Sequence, residues 1–219
     1  PKPLVKIANR TLLDYALDHL VASGVECAVI NVHYLADQIR EHLNSRKDLE
    51  IIISSEESDL LETGGGVKKA IDIFDNAPFY ILNADVFWLN GPTMALGRMI
   101  EQWDESIMDV LLLLHSTVEA YGYNGYGDFG IDASGKLSRR LEREITPYLF
   151  TGIQIIHPRI FRDISPGKFS LNIIYDKAID IEHLYGVVHD GEWFHIGTPQ
   201  GLAEAETFMG QRFSGKRHR

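Results

Sequence analysis

An apolar run from Ala77 to Leu82, broken only by Pro78, ends in Asn83-Ala84-Asp85 and places one carboxylate at the close of a buried strand. In an open α/β sheet the ligand crevice lies beyond the carboxyl ends of the strands, where an Asp can hold a divalent cation without burying an unpaired charge. Upstream, Glu62-Thr63-Gly64-Gly65-Gly66 sets three consecutive glycines ahead of a helix expected over 67–73. With no Cβ in the way, backbone N–H groups at a helix start can approach a ligand closely. The two segments together point to a nucleotide-metal site. Read alone, each has a plainer meaning: a turn or N-cap aspartate after a strand, and a glycine-rich turn before a helix.

Composition bounds what such a site can serve. The chain has 219 residues, 45% hydrophobic and 24% charged, enough to bury a full core as a single domain. A formal net charge of −10 argues against a non-specific nucleic-acid binder, which needs a basic stripe to neutralise phosphates. The basic end Lys216-Arg217-His218-Arg219 is short and reads as solvated. The lone Cys27, in the apolar run 25–30, excludes an internal disulfide framework and reads as a buried thiol. No apolar stretch reaches bilayer length and no signal peptide is legible, so a cytoplasmic protein without membrane contact is expected. No feature of the pattern sets an oligomeric state.

The elements that position the site follow from periodicity. Leu12, Leu13, Ala16, Leu17, Leu20 and Val21 form a helical stripe over 11–23 that Gly24 terminates. Strands are expected over 27–31, 49–54 and 79–83, alternating with helices over 35–43, 67–73 and 93–103, which predicts a parallel sheet. A leucine-rich strand over 109–115 comes next, then short glycine-spaced segments at 129–131 and 136–141, and a long strand over 148–156. Helices are expected over 158–163 and 171–182, then a hairpin of 184–189 and 192–196 across Asp190-Gly191. Thr198 is placed to cap a last helix that begins with Pro199 and runs to about 209.

Taken in order, Pro1-Lys2-Pro3-Leu4, Glu62-Thr63-Gly64-Gly65-Gly66, Asn83-Ala84-Asp85-Val86, Gly127-Asp128-Phe129, Phe150-Thr151-Gly152 and Gly197-Thr198-Pro199 resemble the motifs of sugar-1-phosphate nucleotidyltransferases. The resemblance runs almost end to end. It is nearest to short enzymes that use UTP and N-acetylmuramate-1-phosphate, with mannose-1-phosphate guanylyltransferase-like proteins close by. It implies a Rossmann-like three-layer α/β/α fold of the GT-A-like kind, with a mostly parallel mixed sheet. It also implies an NTP and a sugar-1-phosphate as substrates, a nucleotide-sugar and pyrophosphate as products, and a place in peptidoglycan recycling.

Carried over residue by residue, the resemblance makes Lys2 and Asp85 catalytic, Lys2 as a point charge on phosphate and Asp85 as a ligand of Mg²⁺. Glu62, Thr63, Gly64, Gly65 and Asn83 would bind the nucleotide, and Gly127, Asp128, Thr151, Gly152 and Asn172 the sugar phosphate. Two departures stand out. His195 occupies the position where many relatives place a second metal-binding Asp, so His195 either joins the metal, favouring Mn²⁺ or Co²⁺, or is a strand histidine satisfied by hydrogen bonds. The family's Gly-x-Gly-x-Arg-Met loop is also absent. It should lie before Pro1, together with a central strand whose loss would leave sheet edges unpaired. These departures keep a second class open, a catalytically inactive nucleotide-sensing module. A dehydrogenase-like dinucleotide binder is disfavoured, since no Gly-x-Gly-x-x-Gly follows a first strand.

Overall fold

The computed structural model describes residues 1–56 and 61–214. In chain order the strands and helices are β1 (Lys6–Ile7), β2 (Arg10–Thr11), α1 (Leu12–Ala22), β3 (Cys27–Val32), α2 (Ala36–Leu43), β4 (Glu50–Ser55), α3 (Glu62–Ala70) and β5 (Phe79–Leu82). Beyond these lie β6 (Val86–Leu89), α4 (Ala95–Gln102), β7 (Val110–Ser116), β8 (Phe129–Ile131), β9 (Leu137–Arg139), β10 (Tyr148–Ile156), α5 (Asn172–Asp180), β11 (Leu184–Val188), β12 (Glu192–His195) and α6 (Pro199–Ser214).

The architecture is α/β, with helices on both faces of a mixed sheet. The reason is legible in β7, whose side chains alternate between two cores. Leu111 and Leu113 join Leu17 and Leu20 of α1, Ile39 of α2 and Met99 of α4 on one face. Val110, Leu112 and Leu114 join Ile174, Tyr175 and Ala178 of α5 on the other. A strand buried on both faces reads as a continuous apolar run, and each fully buried leucine contributes roughly 1.5–3 kcal/mol. A third cluster seals α6 against β6 and β12 through Phe87, Phe194, Ala205 and Met209. Thr11 caps α1 by accepting the Asp14 N–H at 3.1 Å, and Thr198 caps α6 by accepting that of Gly201 at 3.1 Å.

Strand pairing is mixed, as the resemblance implies, and departs from the sequence expectation at the last hairpin. β3 pairs with β4 and β11 with β7 in parallel, but β5 runs antiparallel to β10, as do β7 and β8. The long β10 therefore reverses the direction of the sheet around itself. The hairpin expected across Asp190-Gly191 does not form. β11 is buried on both faces and is taken by β7, whereas β12 pairs antiparallel with β6, a strand not expected from the sequence. The helix expected over 67–73 begins earlier, at Glu62, with the glycines inside it, and continues into a 3-10 turn over Ile71–Phe74. Among the described residues β3 is paired only with β4, and β5 only with β10.

No helix of the described residues is long and apolar enough to cross a membrane.

His189 gives the fold a pH dependence. It is 5% exposed, and its Nε2 faces the Leu89 carbonyl at 3.1 Å. Burial first, and then the charge of His115, whose ring lies 5.8 Å away, push its pKa down from 6.5 to about 4. The unfolded chain therefore binds a proton in this window that the native state refuses. His189 costs stability as pH falls from 6.5 towards about 4, with a slope approaching about 1.4 kcal/mol per pH unit. Denaturant unfolding of the wild type and His189→Gln at pH 7 and pH 5 should show a smaller loss in the variant. Equal losses would mean that another group sets the dependence.

Candidate functional site

The site is assembled where β10 departs from regular pairing. Its register against β7 shifts between Phe150 and Gln154, and inside that interval Gly152 takes φ +85°. A Cβ there would lie 2.8 Å from Asn83 Nδ2 and 3.0 Å from a Val86 methyl, so only glycine lets the turn after β5 pack this closely. The Asn83 N–H donates to the Gly152 carbonyl at 2.9 Å, fixing that turn. Two residues on stands Asp85.

Lys2 reaches Asp85, and His195 and Asn83 lie near it along the backbone. Lys2 Nζ lies 3.8 Å from Asp85 Oδ2, both side chains being well exposed (66% and 45%), so each is open to a ligand. Such an exposed pair is weak in itself. His195 stands directly opposite Val86 in the β6–β12 ladder, one residue from Asp85, and its N–H donates to the Tyr121 carbonyl at 2.9 Å. Asn83, expected on the nucleotide, lies on the Gly152 side of this group.

The sugar-side residues fall along the same strand. Asp128 Oδ2 accepts the Phe150 N–H at 2.8 Å, two residues before Gly152. Gly127 is held by the Tyr123 hydroxyl, which accepts its N–H at 3.1 Å. Burial and the neighbouring Asp128 carboxylate push the Tyr123 phenol above its usual pKa, so it stays protonated with its own hydrogen free to donate. Thr151 is fully buried, and its hydroxyl donates to Leu113 O at 2.7 Å while its carbonyl accepts the Trp193 indole N–H at 3.1 Å, so its side chain is turned into the core at the bulge. Asn172 begins α5, and its amide oxygen accepts at 3.2 Å from Arg139, the residue opposite Phe129 in the β8–β9 ladder.

The glycine segment also differs from expectation. The N–H groups of Gly64 and Gly65 both donate to Phe169 O, at 2.9 and 3.1 Å. A Cβ at Gly64 would collide with the Phe169 ring, and one at Gly66 would lie 2.5 Å from Asn31 Nδ2 and 2.6 Å from Glu56 Oε1. The Thr63 hydroxyl accepts the Leu171 N–H at 3.0 Å, and Glu62 pairs with Lys168 at 3.6 Å. The segment thus docks the stretch leading into α5 onto the carboxyl ends of β3 and β4, where Asn31 and Glu56 stand. Close packing, which sequence alone does not reveal, accounts for the glycines as fully as ligand approach does.

Asp85 is the carboxylate at the centre and His195 stands opposite Val86 beside it, and among the described residues no group of three or more His, Cys, Asp or Glu could hold a metal ion. This donor set fits a hard divalent cation that keeps water and takes its remaining ligands from substrate phosphates. It does not fit a closed protein cage. Tyr123 and Trp193, which position Gly127 and Thr151, were missed by the sequence reading, because a hydroxyl or indole partner distant in sequence leaves no local pattern.

Comparisons with known proteins bear out the family resemblance. The sequence profile described as nucleotidyl transferase matches residues 1–212. The N-acetylmuramate alpha-1-phosphate uridylyltransferase of Caulobacter vibrioides is 38% identical over 215 residues, 96% of this chain and 89% of that protein. The protein of the same name from Neisseria meningitidis serogroup B is 30% identical, covering 96% and 90%. Among solved structures, HddC from Yersinia pseudotuberculosis complexed with GMP-PN matches with TM-score 0.75 at 21% identity over 95% of this chain and 90% of that one. UDP-glucose pyrophosphorylase complexed with UDP-glucose matches with TM-score 0.77 at 13% identity, over 97% and 91%. The solved structures share the fold.

Gly152→Ala tests the positional role of the bulge. A Cβ at positive φ costs ~1–3 kcal/mol, and here it also meets Asn83. The variant should melt at a lower temperature and lose whatever activity depends on Asp85. An unchanged melting midpoint would show that the Asn83 turn is not held by this contact.

Proposed function

The chain belongs to the nucleotidyl transferase family, and from that premise we propose that it transfers a nucleotidyl group from an NTP to a sugar-1-phosphate, releasing pyrophosphate. The observation that carries the reading is the convergence of Lys2, Asp85 and His195 beside the Asn83–Gly152 contact. A sugar-phosphate oxygen attacks the α-phosphorus in line, the bond to the β-phosphate breaks, and pyrophosphate leaves without a covalent enzyme intermediate. Such chemistry needs two anions brought together and the charge growing on phosphate oxygens neutralised. Lys2 supplies a mobile point charge that can follow the phosphates. Asp85, joined by His195 or by water, is placed to hold a divalent cation. Bound there, Mg²⁺ would screen the phosphate charge, and Mn²⁺ or Co²⁺ would suit His195 better.

For the substrates we propose UTP and N-acetylmuramate-1-phosphate, supported by the two relatives of that activity and by their near full-length match. The setting implied is the reuse of cell-wall sugars in the cytoplasm. A mannose-1-phosphate guanylyltransferase is the second reading, supported by a probable enzyme of that name from Arabidopsis thaliana at 27% identity, of which this chain spans 57%.

Pyrophosphate release with UTP, GTP, CTP and dTTP against N-acetylmuramate-1-phosphate, mannose-1-phosphate and glucose-1-phosphate tests the reading. Metal-dependent release with the first sugar and UTP is expected. NTP binding without release across the panel would leave a nucleotide-sensing module in its place.

Asp85→Asn should abolish turnover while the melting temperature changes little, as Asp85 is exposed. Undiminished turnover would remove it from the metal site. His195→Asp should move the metal preference towards Mg²⁺ if the imidazole is a ligand, and an unmoved preference would assign His195 to the ladder alone.

A further inference from the structure

Arg140 is fixed to the Gly127–Asp128 turn from both its backbone and its side chain. Its N–H donates to Asp128 O at 3.1 Å, and its Nε donates to Gly127 O at 3.1 Å. Nη1 donates to Leu141 O at 3.2 Å and to Glu144 O at 3.1 Å, and the guanidinium carbon lies 5.9 Å from the centre of the Tyr126 ring. All of these partners are carbonyls or a ring. Among the described residues no carboxylate pairs with Arg140, and Nη2 has no partner.

By contrast, the Arg46 guanidinium is shared by Asp14, Asp18 and Asp48. A guanidinium whose plane is already set by three carbonyl contacts, with one edge free, is a preorganised donor for a carboxylate. Around it Tyr126, Leu141 and Ile145 expose apolar side chains at 64%, 64% and 74%. A positive charge ringed by exposed apolar groups matches a substituent that has both an acid and a methyl group. The lactyl ether is such a substituent, and it is what distinguishes N-acetylmuramate from N-acetylglucosamine.

Resting on the substrate reading above, we infer that Arg140 is the specificity-determining residue that binds the carboxylate of a carboxylated sugar-1-phosphate. Tyr126, Leu141 and Ile145 form the apolar wall beside it.

The test uses the full protein and two sugar phosphates differing by that group. N-acetylmuramate-1-phosphate is assayed as substrate with saturating UTP, and N-acetylglucosamine-1-phosphate as substrate or competitive inhibitor, for the wild type, Arg140→Gln and Arg140→Lys. In Arg140→Gln the KM for N-acetylmuramate-1-phosphate should rise about ten- to a hundredfold, the range for losing a charge-assisted hydrogen bond. The affinity for the uncarboxylated sugar should change far less, and Arg140→Lys should recover part of the loss. Equal losses for both sugars would mean that Arg140 only holds the Gly127–Asp128 turn, and no loss would also overturn the inference. Wild-type protein inactive on N-acetylmuramate-1-phosphate would sink the substrate reading itself, with this inference, before any variant is compared.

Discussion

The bulge of β10 at Gly152 is the constraint on which the site rests. A regular strand would carry a side chain into Asn83 and Val86, and the turn bearing Asp85 would be held off the sheet. With glycine at positive φ, Gly152 accepts the Asn83 N–H, Thr151 turns its hydroxyl into the core towards Leu113, and the freed Thr151 carbonyl is claimed by Trp193. Trp193 belongs to β12, the strand whose His195 stands opposite Val86, the residue after Asp85. Bulges of this kind interrupt a ladder locally and re-aim the groups around the interruption.

The rest of the molecule makes that irregularity tolerable. β7 is sandwiched between two apolar cores and paired on both sides, by β10 and β11. A rigid central strand fixes the ends of β10, so the interval between Phe150 and Gln154 is free to depart from pairing while the flanks stay in register. Rigid flanks with a functional departure between them allow a site to be held to within the fraction of an ångström that in-line transfer demands.

Local pattern made much of the fold legible. The cap at Thr198, the stripe of α1 and the span of β10 are all readable, because capping and periodicity are properties of neighbouring residues. Partner choice was not. The Asp190-Gly191 turn has hairpin chemistry, yet β11 and β12 part company there, since the burial of both faces of β11 favours a place beside β7 over pairing with its neighbour. The glycines at 64–66 were legible as a demand for close approach, but the groups that approach are Phe169, Asn31 and Glu56.

By itself the sequence determined the family, the α/β class and the motif residues Lys2 and Asp85, since these depend on residue type, order and spacing. Only the tertiary structure decided that Asp85 meets Lys2 and lies one residue from His195's ladder partner, that the Thr151 side chain turns into the core, and that among the described residues no carboxylate pairs with Arg140. These outcomes rest on contacts between residues far apart in the chain, and a contact of that kind is fixed by packing and hydrogen-bond competition across the whole fold, which no local pattern encodes.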